Sequence, residues 1–403
     1  MHQTVVIFEP SDVSNFGPLV MLRHLADLPY GIYSNWERAK LVLPDKDVRI
    51  WGRPLLQYVN AETHPDTSIN EKCESGYFLH AGVPAWHYPK LLELLDNVKA
   101  LTFAGEIIAA RTDSPVTCEP AFFGSLKALP TTEVDEFFSD IPRYYWEVND
   151  LREAALEFDL TLWTRENTED QDFDPLLPMN VPDIIHIHQT AVVSNGAFFD
   201  AGNGPIVVDA NVKIPPFVTL RGPLYLGKNT EVKDGAAIRG SIIGADCRVG
   251  GEIANSIFFP FTNKGHSGFV GNSIIGSWVN LGAGTITSNL KNNYSSIRVQ
   301  WGGREFDTRK QFLGATLGDH TKTAIGTMLN TGTTTGIFVN EFQIGLSAKV
   351  SPSFTWGNNR YEINKAIQTA SEVMRRRDQE LTHAMEALIR DIWQKPETTL
   401  RWS

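Results

Sequence analysis

His266 stands between Gly265 and Gly268 at the head of the segment 263–299, NKGHSGFVGNSIIGSWVNLGAGTITSNLKNNYSSIRV. An imidazole titrates near neutrality, so it can take a proton from an amine as that amine attacks a thioester. A histidine hydrogen-bonded to loop backbone has the same local sequence, and residue type alone does not separate the two. A second pattern is His186-Ile187-His188. Side chains alternate along a strand, so these imidazoles share one side, and with His266 or His320 they have the makings of a three-histidine zinc or iron site. Their position, several repeats before His266, weighs against it.

Phosphate chemistry would need cations or a glycine-rich turn. Arg23, Arg38 and Lys40 could supply charge to a phosphate or pyrophosphate, although each also suits a solvated helix face. The loop at residues 9–17, EPSDVSNFG, follows the first apolar run and is the default phosphate site of an open α/β sheet. It has one glycine, where a phosphate cradle uses several to bring backbone N–H groups close. Metal-assisted nucleotidyl transfer also needs oxygen ligands for Mg²⁺. Asn149, in EVNDLREAA, is one candidate.

The elements that must position these groups are of two kinds. Residues 4–8 (TVVIF) form a continuous apolar run, as in a buried parallel strand. Further strand-like runs fall at 48–51, 77–81 and 107–110, with helical spacing at 18–28, 90–95 and 149–158. This alternation predicts a doubly wound, Rossmann-like α/β domain over 1–165. An acidic, proline-rich stretch, 166–183, reads as a linker. From 184 to 357 an aliphatic position recurs every six residues: Ile206, Val212, Val218 and Leu224; Leu226, Val232 and Ile238; Ile243 and Val249; Leu317, Thr323, Leu329 and Thr335. Hexads of this kind predict a left-handed parallel β-helix, each hexad one flat face of a triangular coil. A β-sandwich would show period two with turns every eight to twelve residues, and fits worse. Residues 358–403 contain an apolar stripe that predicts one long terminal helix over 361–394.

Composition sets the boundaries. The 403 residues suffice for two or three domains, with 42% hydrophobic and 21% charged residues. The net charge of −11 and the lack of a long basic tract argue against nucleic-acid binding. No run approaches a transmembrane helix, and the N-terminus lacks the basic start and cleavage site of a signal peptide. Cys73, Cys118 and Cys247 are scattered and read as reduced thiols, so a cytoplasmic protein is expected.

The segments GPIVVDANVKIPPFVTLRGPLYLG, CRVGGEIANSIF, NKGHSGFVGNSIIGSWVNLGAGTITSNLKNNY, LGDHTKTAIGTMLNTGT and PSFTWG resemble a divergent bacterial branch of the GlmU-like sugar nucleotidyltransferases. The resemblance covers the whole chain, is most specific over 204–357 and is loosest in the first 160 residues. It implies an acetyl-CoA-dependent acetylation of an amino-sugar phosphate in the β-helix, and an α/β domain that joins the product to a nucleotide with Mg²⁺. By the same resemblance His266 is the base; Asn280, Arg239 and Lys264 meet the acceptor sugar; and Ala283 and Asn289 meet acetyl-CoA. It implies a homotrimer with sites in the clefts between subunits, and partners that are sugar phosphates and nucleotides. Phe269 stands where the family has a tyrosine. Gly82, in YFLHAGVPAWHYPKLLELL, stands where it has a metal-binding aspartate, so nucleotidyl transfer is expected to be weak or absent. A nucleotidyltransferase without acyl transfer, and a sugar-nucleotide-binding scaffold without catalysis, are the alternatives.

Overall fold

The computed structural model describes residues 3–134, 136–166, 184–343, 345–396 and 399–402. The expected linker, 166–183, lies outside them except for Glu166. The chain divides into two compact units: 1–28, 33–145 and 382–403 form the first, 29–32 and 146–381 the second. Among the described residues no helix is long and apolar enough to cross a membrane.

In the first unit, β1 (Thr4–Phe8), β2 (Asp47–Trp51), β3 (Gly76–His80), β4 (Ala100–Phe103), β5 (Glu106–Thr112) and β6 (Thr131–Glu133) form one sheet in the order β2-β1-β3-β5-β4-β6. β1 pairs in parallel with β2 and β3, and Val5, Val6, Ile7 and Phe8 are all buried, as a continuous apolar run requires. β5 runs antiparallel to both β3 and β4, so the sheet is mixed. The reversal occurs at Ala104-Gly105, where φ is positive at both residues (51° and 80°), the geometry of a tight hairpin turn. Helices α1 (Asn35–Val42), α2 (Gln57–Thr63), α3 (Tyr88–Leu95) and α4 (Ala121–Lys127) complete the layers. α1 begins with a reciprocal capping box between Ser34 and Glu37.

The helix expected over 18–28 does not form; only Leu25–Asp27 makes a single 3₁₀ turn. Leu19, Val20, Met21, Leu22 and Leu25 are all buried, so the spacing reflects burial rather than an amphipathic face. The backbone is engaged elsewhere. Arg53 Nη2 donates to the carbonyls of Val20 (2.8 Å) and Arg23 (3.0 Å), and the Leu25 N–H donates to Glu9 Oε1 (2.9 Å).

The second unit contains the left-handed parallel β-helix. Its first face stacks nine strands, from Ile185–Ile187 to Val350–Ser351. One inward column runs Val208, Leu226, Ile243, Phe258, Ile275, Leu317, Thr335, Ser351, changing from aliphatic to hydroxyl side chains toward the last coils. The outward residues of this face, including Val207, Ile242, Ile257 and Ile274, are buried too. Helix α5 (Arg152–Glu166) is fastened at the corner leading into it: Arg152 Nε donates to the Gly240 carbonyl (2.7 Å), and Asn149 Nδ2, just ahead of the helix, to that of Asn255 (3.0 Å).

From the second coil on, the corner between the first and second faces carries a residue at positive φ. Asn211, Asn229 and Asp246 fill it first and are linked by side-chain hydrogen bonds of 3.1 and 3.2 Å. Phe261, Trp278, His320, Phe338 and Phe354 follow as a continuous stack of rings with centroids 4.2–6.1 Å apart. A non-glycine residue in this region costs about 1–2 kcal/mol, which polar ladders and ring stacking offset. Between the third face of one coil and the first face of the next, residues 288–315 form an excursion with an antiparallel hairpin, Arg298–Trp301 and Arg304–Asp307.

The C-terminal helical region is divided in two. α6 (Ile363–Arg375) belongs to the second unit and buries Ala366, Ile367 and Ala370; Arg377 just beyond it donates to the Asp246 carbonyl. α7 (His383–Gln394) belongs to the first unit and buries Leu388, Ile389 and Ile392. The break falls at Asp378, with φ of 55°, and Thr382 caps the new helix by accepting from the Met385 N–H (3.2 Å).

Candidate active site

The second and third faces of the β-helix meet at the turn that carries His266, between the strands Asn263–Lys264 and Phe269–Gly271. Gly268 is required there: its φ is 122°, and a Cβ would lie 2.2 Å from the Thr285 carbonyl oxygen of the next coil. The imidazole is exposed. One coil above, the Gly284 N–H donates to the Ser267 carbonyl (3.0 Å), which sets Ala283 directly over the His266 turn. On the second face Asn280 is bridged to Asn263 below and Lys322 above, and its exposed amide oxygen accepts from Asn263 Nδ2. His266, Asn280 and Ala283 are thereby gathered at one corner on adjacent coils.

The other expected site residues lie further out. Arg239 is half-buried on the third face and paired with Glu252 at 2.8 Å; Glu252 is in register with Phe269. Asn289 is at the far end of the third face, donating to Asn272 Oδ1 (2.7 Å). Lys264 is only 1% exposed, and its Nζ donates to the carbonyls of Gly250 (2.8 Å) and His266 (2.9 Å). It therefore does not offer its ammonium to a sugar, contrary to the role expected for it. Burial pulls its pKa down to about 8.

Two features had no signal in the sequence. Lys322, next to Asn280 in the column, donates to the His320 carbonyl (3.0 Å), and burial pulls its pKa down to about 8. Along the third face and its corner, Ile286, Ile325 (84% exposed), Met328 and Leu346 (58% exposed) form an open apolar stripe, with Met328 in register with both Ile286 and Leu346. Aliphatics inside and outside the coil look alike in sequence.

A three-histidine metal site does not form. His186 rests against Trp163 (6.1 Å), His188 Nδ1 bonds Thr190 Oγ1 (3.0 Å), and His320 is inside the ring stack. Among the described residues no three His, Cys, Asp or Glu side chains are grouped to hold a metal.

In the first unit, a cavity of about 350 Å³ opens at the carboxyl ends of β1 and β3, lined among others by Phe8, Asp12, Asn15, His80, Lys127 and Arg143. The cations named from sequence are elsewhere. Arg23 is half-buried, with Nη1 donating to the Leu19 carbonyl (3.3 Å). Arg38 is fully buried, donating to Tyr33 O (3.0 Å) and lying 5.2 Å over the Trp86 ring, so it serves the core. Asn149 belongs to the second unit, and its Oδ1 is buried without a hydrogen-bond partner. At Gly82 a Cβ would come within 3.0 Å of His80 Cε1; the His80 ring accepts from the Gly82 N–H, and burial lowers its pKa to about 4.

Glu9, just after β1, is fully buried. Its carboxylate accepts from the N–H groups of Leu25 (2.9 Å) and Arg53 (3.0 Å), and from Arg53 Nε (2.9 Å) and Nη2 (3.0 Å). The Leu25 N–H and the Arg53 guanidinium are thus engaged by a carboxylate of the chain itself.

No family model matches the chain. Over 176 residues it is 30% identical to the bifunctional protein GlmU of Streptococcus uberis, covering 40% of this chain and 34% of that one. Over 116 residues it is 34% identical to the bifunctional protein GlmU of Methanococcus vannielii, 28% and 26% of the two chains. A bifunctional sugar-1-phosphate nucleotidylyltransferase/acetyltransferase of Sulfurisphaera tokodaii is 30% identical over 87 residues, 22% of each chain. The chain thus spans between about a fifth and a third of the curated relatives it matches. Among solved structures, the UDP-N-acetylglucosamine acyltransferase of Francisella novicida is 16% identical over 48% of this chain and 74% of that one, with a TM-score of 0.20. PerB from Caulobacter crescentus, in complex with CoA and GDP-perosamine, is 14% identical over 56% and 79%, with a TM-score of 0.16. Both scores are too low to bear on what this chain does.

Proposed function

We propose that this chain, a divergent relative of the GlmU-like sugar nucleotidyltransferases and acetyltransferases, transfers an acetyl group from acetyl-CoA to the amine of an amino-sugar phosphate at the corner carrying His266. The observation that supports this is the gathering of an exposed imidazole, the Asn280 amide and Ala283 on adjacent coils. In the proposed reaction neutral His266 takes the proton of the attacking amine as the C–N bond forms. The C–S bond then breaks, and the thiolate of coenzyme A takes up a proton as it leaves. Asn280 orients the sugar, Arg239 meets its phosphate once released from Glu252, and Ala283 and Asn289 line the path of acetyl-CoA. Purified protein given acetyl-CoA and a panel of amino-sugar phosphates should release free thiol; release with none of the panel would count against this reading.

The assembly proposed is a homotrimer, the apolar stripe of Ile286, Ile325, Met328 and Leu346 covered by a second copy. Closed cyclic symmetry is the usual outcome for such a surface on a homo-oligomer. Sedimentation at micromolar concentration should give three chains per particle, and Ile325→Asp should shift it toward one. A parent protein that sediments as a monomer would overturn both the assembly and the shared site.

The sheet unit is proposed to lack nucleotidyl transfer. That reaction needs the triphosphate charge neutralised, usually by Mg²⁺ and a backbone cradle. Here Gly82 lacks a carboxylate, and the loop after β1 carries a single glycine, Gly17, instead of a backbone cradle. Pyrophosphate release from nucleoside triphosphates with sugar phosphates and Mg²⁺ should stay at background. Release that Asp12→Ala abolishes would show that a carboxylate on the cavity wall replaces the missing ligand.

A further inference from the structure

On the second face, Val232, Val249 and Lys264 occupy one column, in register from coil to coil. Val232 and Val249 are buried core aliphatics, and so is Leu281, next to the Asn280 that pairs with Asn263. Lys264 is thus a lysine at an inward position with Val249 below it and Leu281 above, its stem in the core. A charged group in such a place lowers stability unless it is paired, and here it has no carboxylate partner, only two backbone carbonyls. Both carbonyls belong to the corner that carries His266: Gly250 one coil below the turn, and His266 itself. The glycine at 251 makes room for this ammonium. Its φ is 68°, and a Cβ there would lie 2.9 Å from Lys264 Nζ and 3.0 Å from the His266 carbonyl oxygen.

We propose that Lys264 is a positioning residue for the acyl-transfer site: its buried ammonium clamps the His266 turn onto the coil below and so fixes the direction in which the imidazole leaves the corner. The proposal rests on the acyl-transfer reading above. It accounts for a lysine where the neighbouring coils place valine and leucine. The buried amine has a pKa of about 8, so at neutral pH it is largely an ammonium, the stronger donor to a carbonyl.

Lys264→Met keeps the length of the side chain and suits its neighbours Val249 and Leu281, and Lys264→Leu matches the neighbouring coils. Both variants should fold, assemble and melt no lower than the parent, because a desolvated charge has been removed. Turnover at saturating substrates should nevertheless fall by at least tenfold, with KM for acetyl-CoA within twofold of the parent value. A lysine that only supports the core gives the opposite pattern, a lower melting temperature with turnover retained, and that result overturns the proposal, as does failure of both variants to fold. Hydrogen exchange separates this outcome from failure of the acyl-transfer reading. If the parent transfers no acyl group, that reading falls, yet amides of 265–268 should still exchange at least tenfold faster in Lys264→Met, with the flanking strands unchanged. Equal exchange in the turn shows there is no clamp.

Discussion

His266→Ala should cut acyl transfer by a factor of about a hundred to ten thousand, the usual worth of a positioned general base. The fold and the assembly should persist, because the imidazole is exposed on a corner whose shape is set by Gly268 and by backbone hydrogen bonds to the next coil. Acetyl-CoA affinity should change little, since Ala283 and Asn289 are untouched. Turnover and melting temperature measured on the same variant decide the matter. Unchanged turnover would sink the mechanism, and a marked drop in melting temperature with normal turnover would make His266 a structural residue.

Glu9→Ala should destabilise the first unit by about 3–5 kcal/mol, the cost of leaving one partner of a buried ion pair unpaired. Arg53 is 1% exposed, and its guanidinium also donates to the carbonyls of Val20, Arg23 and Thr399, so it cannot easily turn to solvent. The double variant Glu9→Leu with Arg53→Met should be closer to the parent than either single change. Acid should act in the same direction. Burial by itself raises the Glu9 pKa, but Arg53 outweighs it and holds the carboxyl well below its ordinary 4.5, at about 2. A lowered folded-state pKa means that this stability is present above about 4.5 and is lost as pH falls toward about 2. Urea unfolding, with hydrogen exchange followed in β1 and β2, measures both effects. A Glu9→Ala variant within about 1 kcal/mol of the parent would show that the pair contributes little.

How much of this was written in the chain depends on the range of the interactions involved. The hexad beat of Ile206, Val212, Val218 and Leu224 is a local signal: each coil repeats the last, so inward positions recur at a fixed spacing. The strand β1 was legible because Val5, Val6, Ile7 and Phe8 are apolar in succession and buried on both faces. His266, Asn280 and Ala283 meet at one corner for the same reason, since the repeat alone places them on adjacent coils. Residues whose surroundings come from distant parts of the chain could not be read this way. The segment 18–28 has helical spacing, yet its carbonyls are taken by Arg53, thirty residues or more away in sequence. Arg38 has the residue type of a phosphate ligand but lies over Trp86. Lys264 was expected at a sugar, and only the register with Val249 shows that it points inward. Sequence fixes which side chains repeat and at what interval; it does not say what covers the outside of the coil. Tertiary structure decides burial, and burial decides whether a cation, a carboxylate or an aliphatic serves the core, the site or a partner.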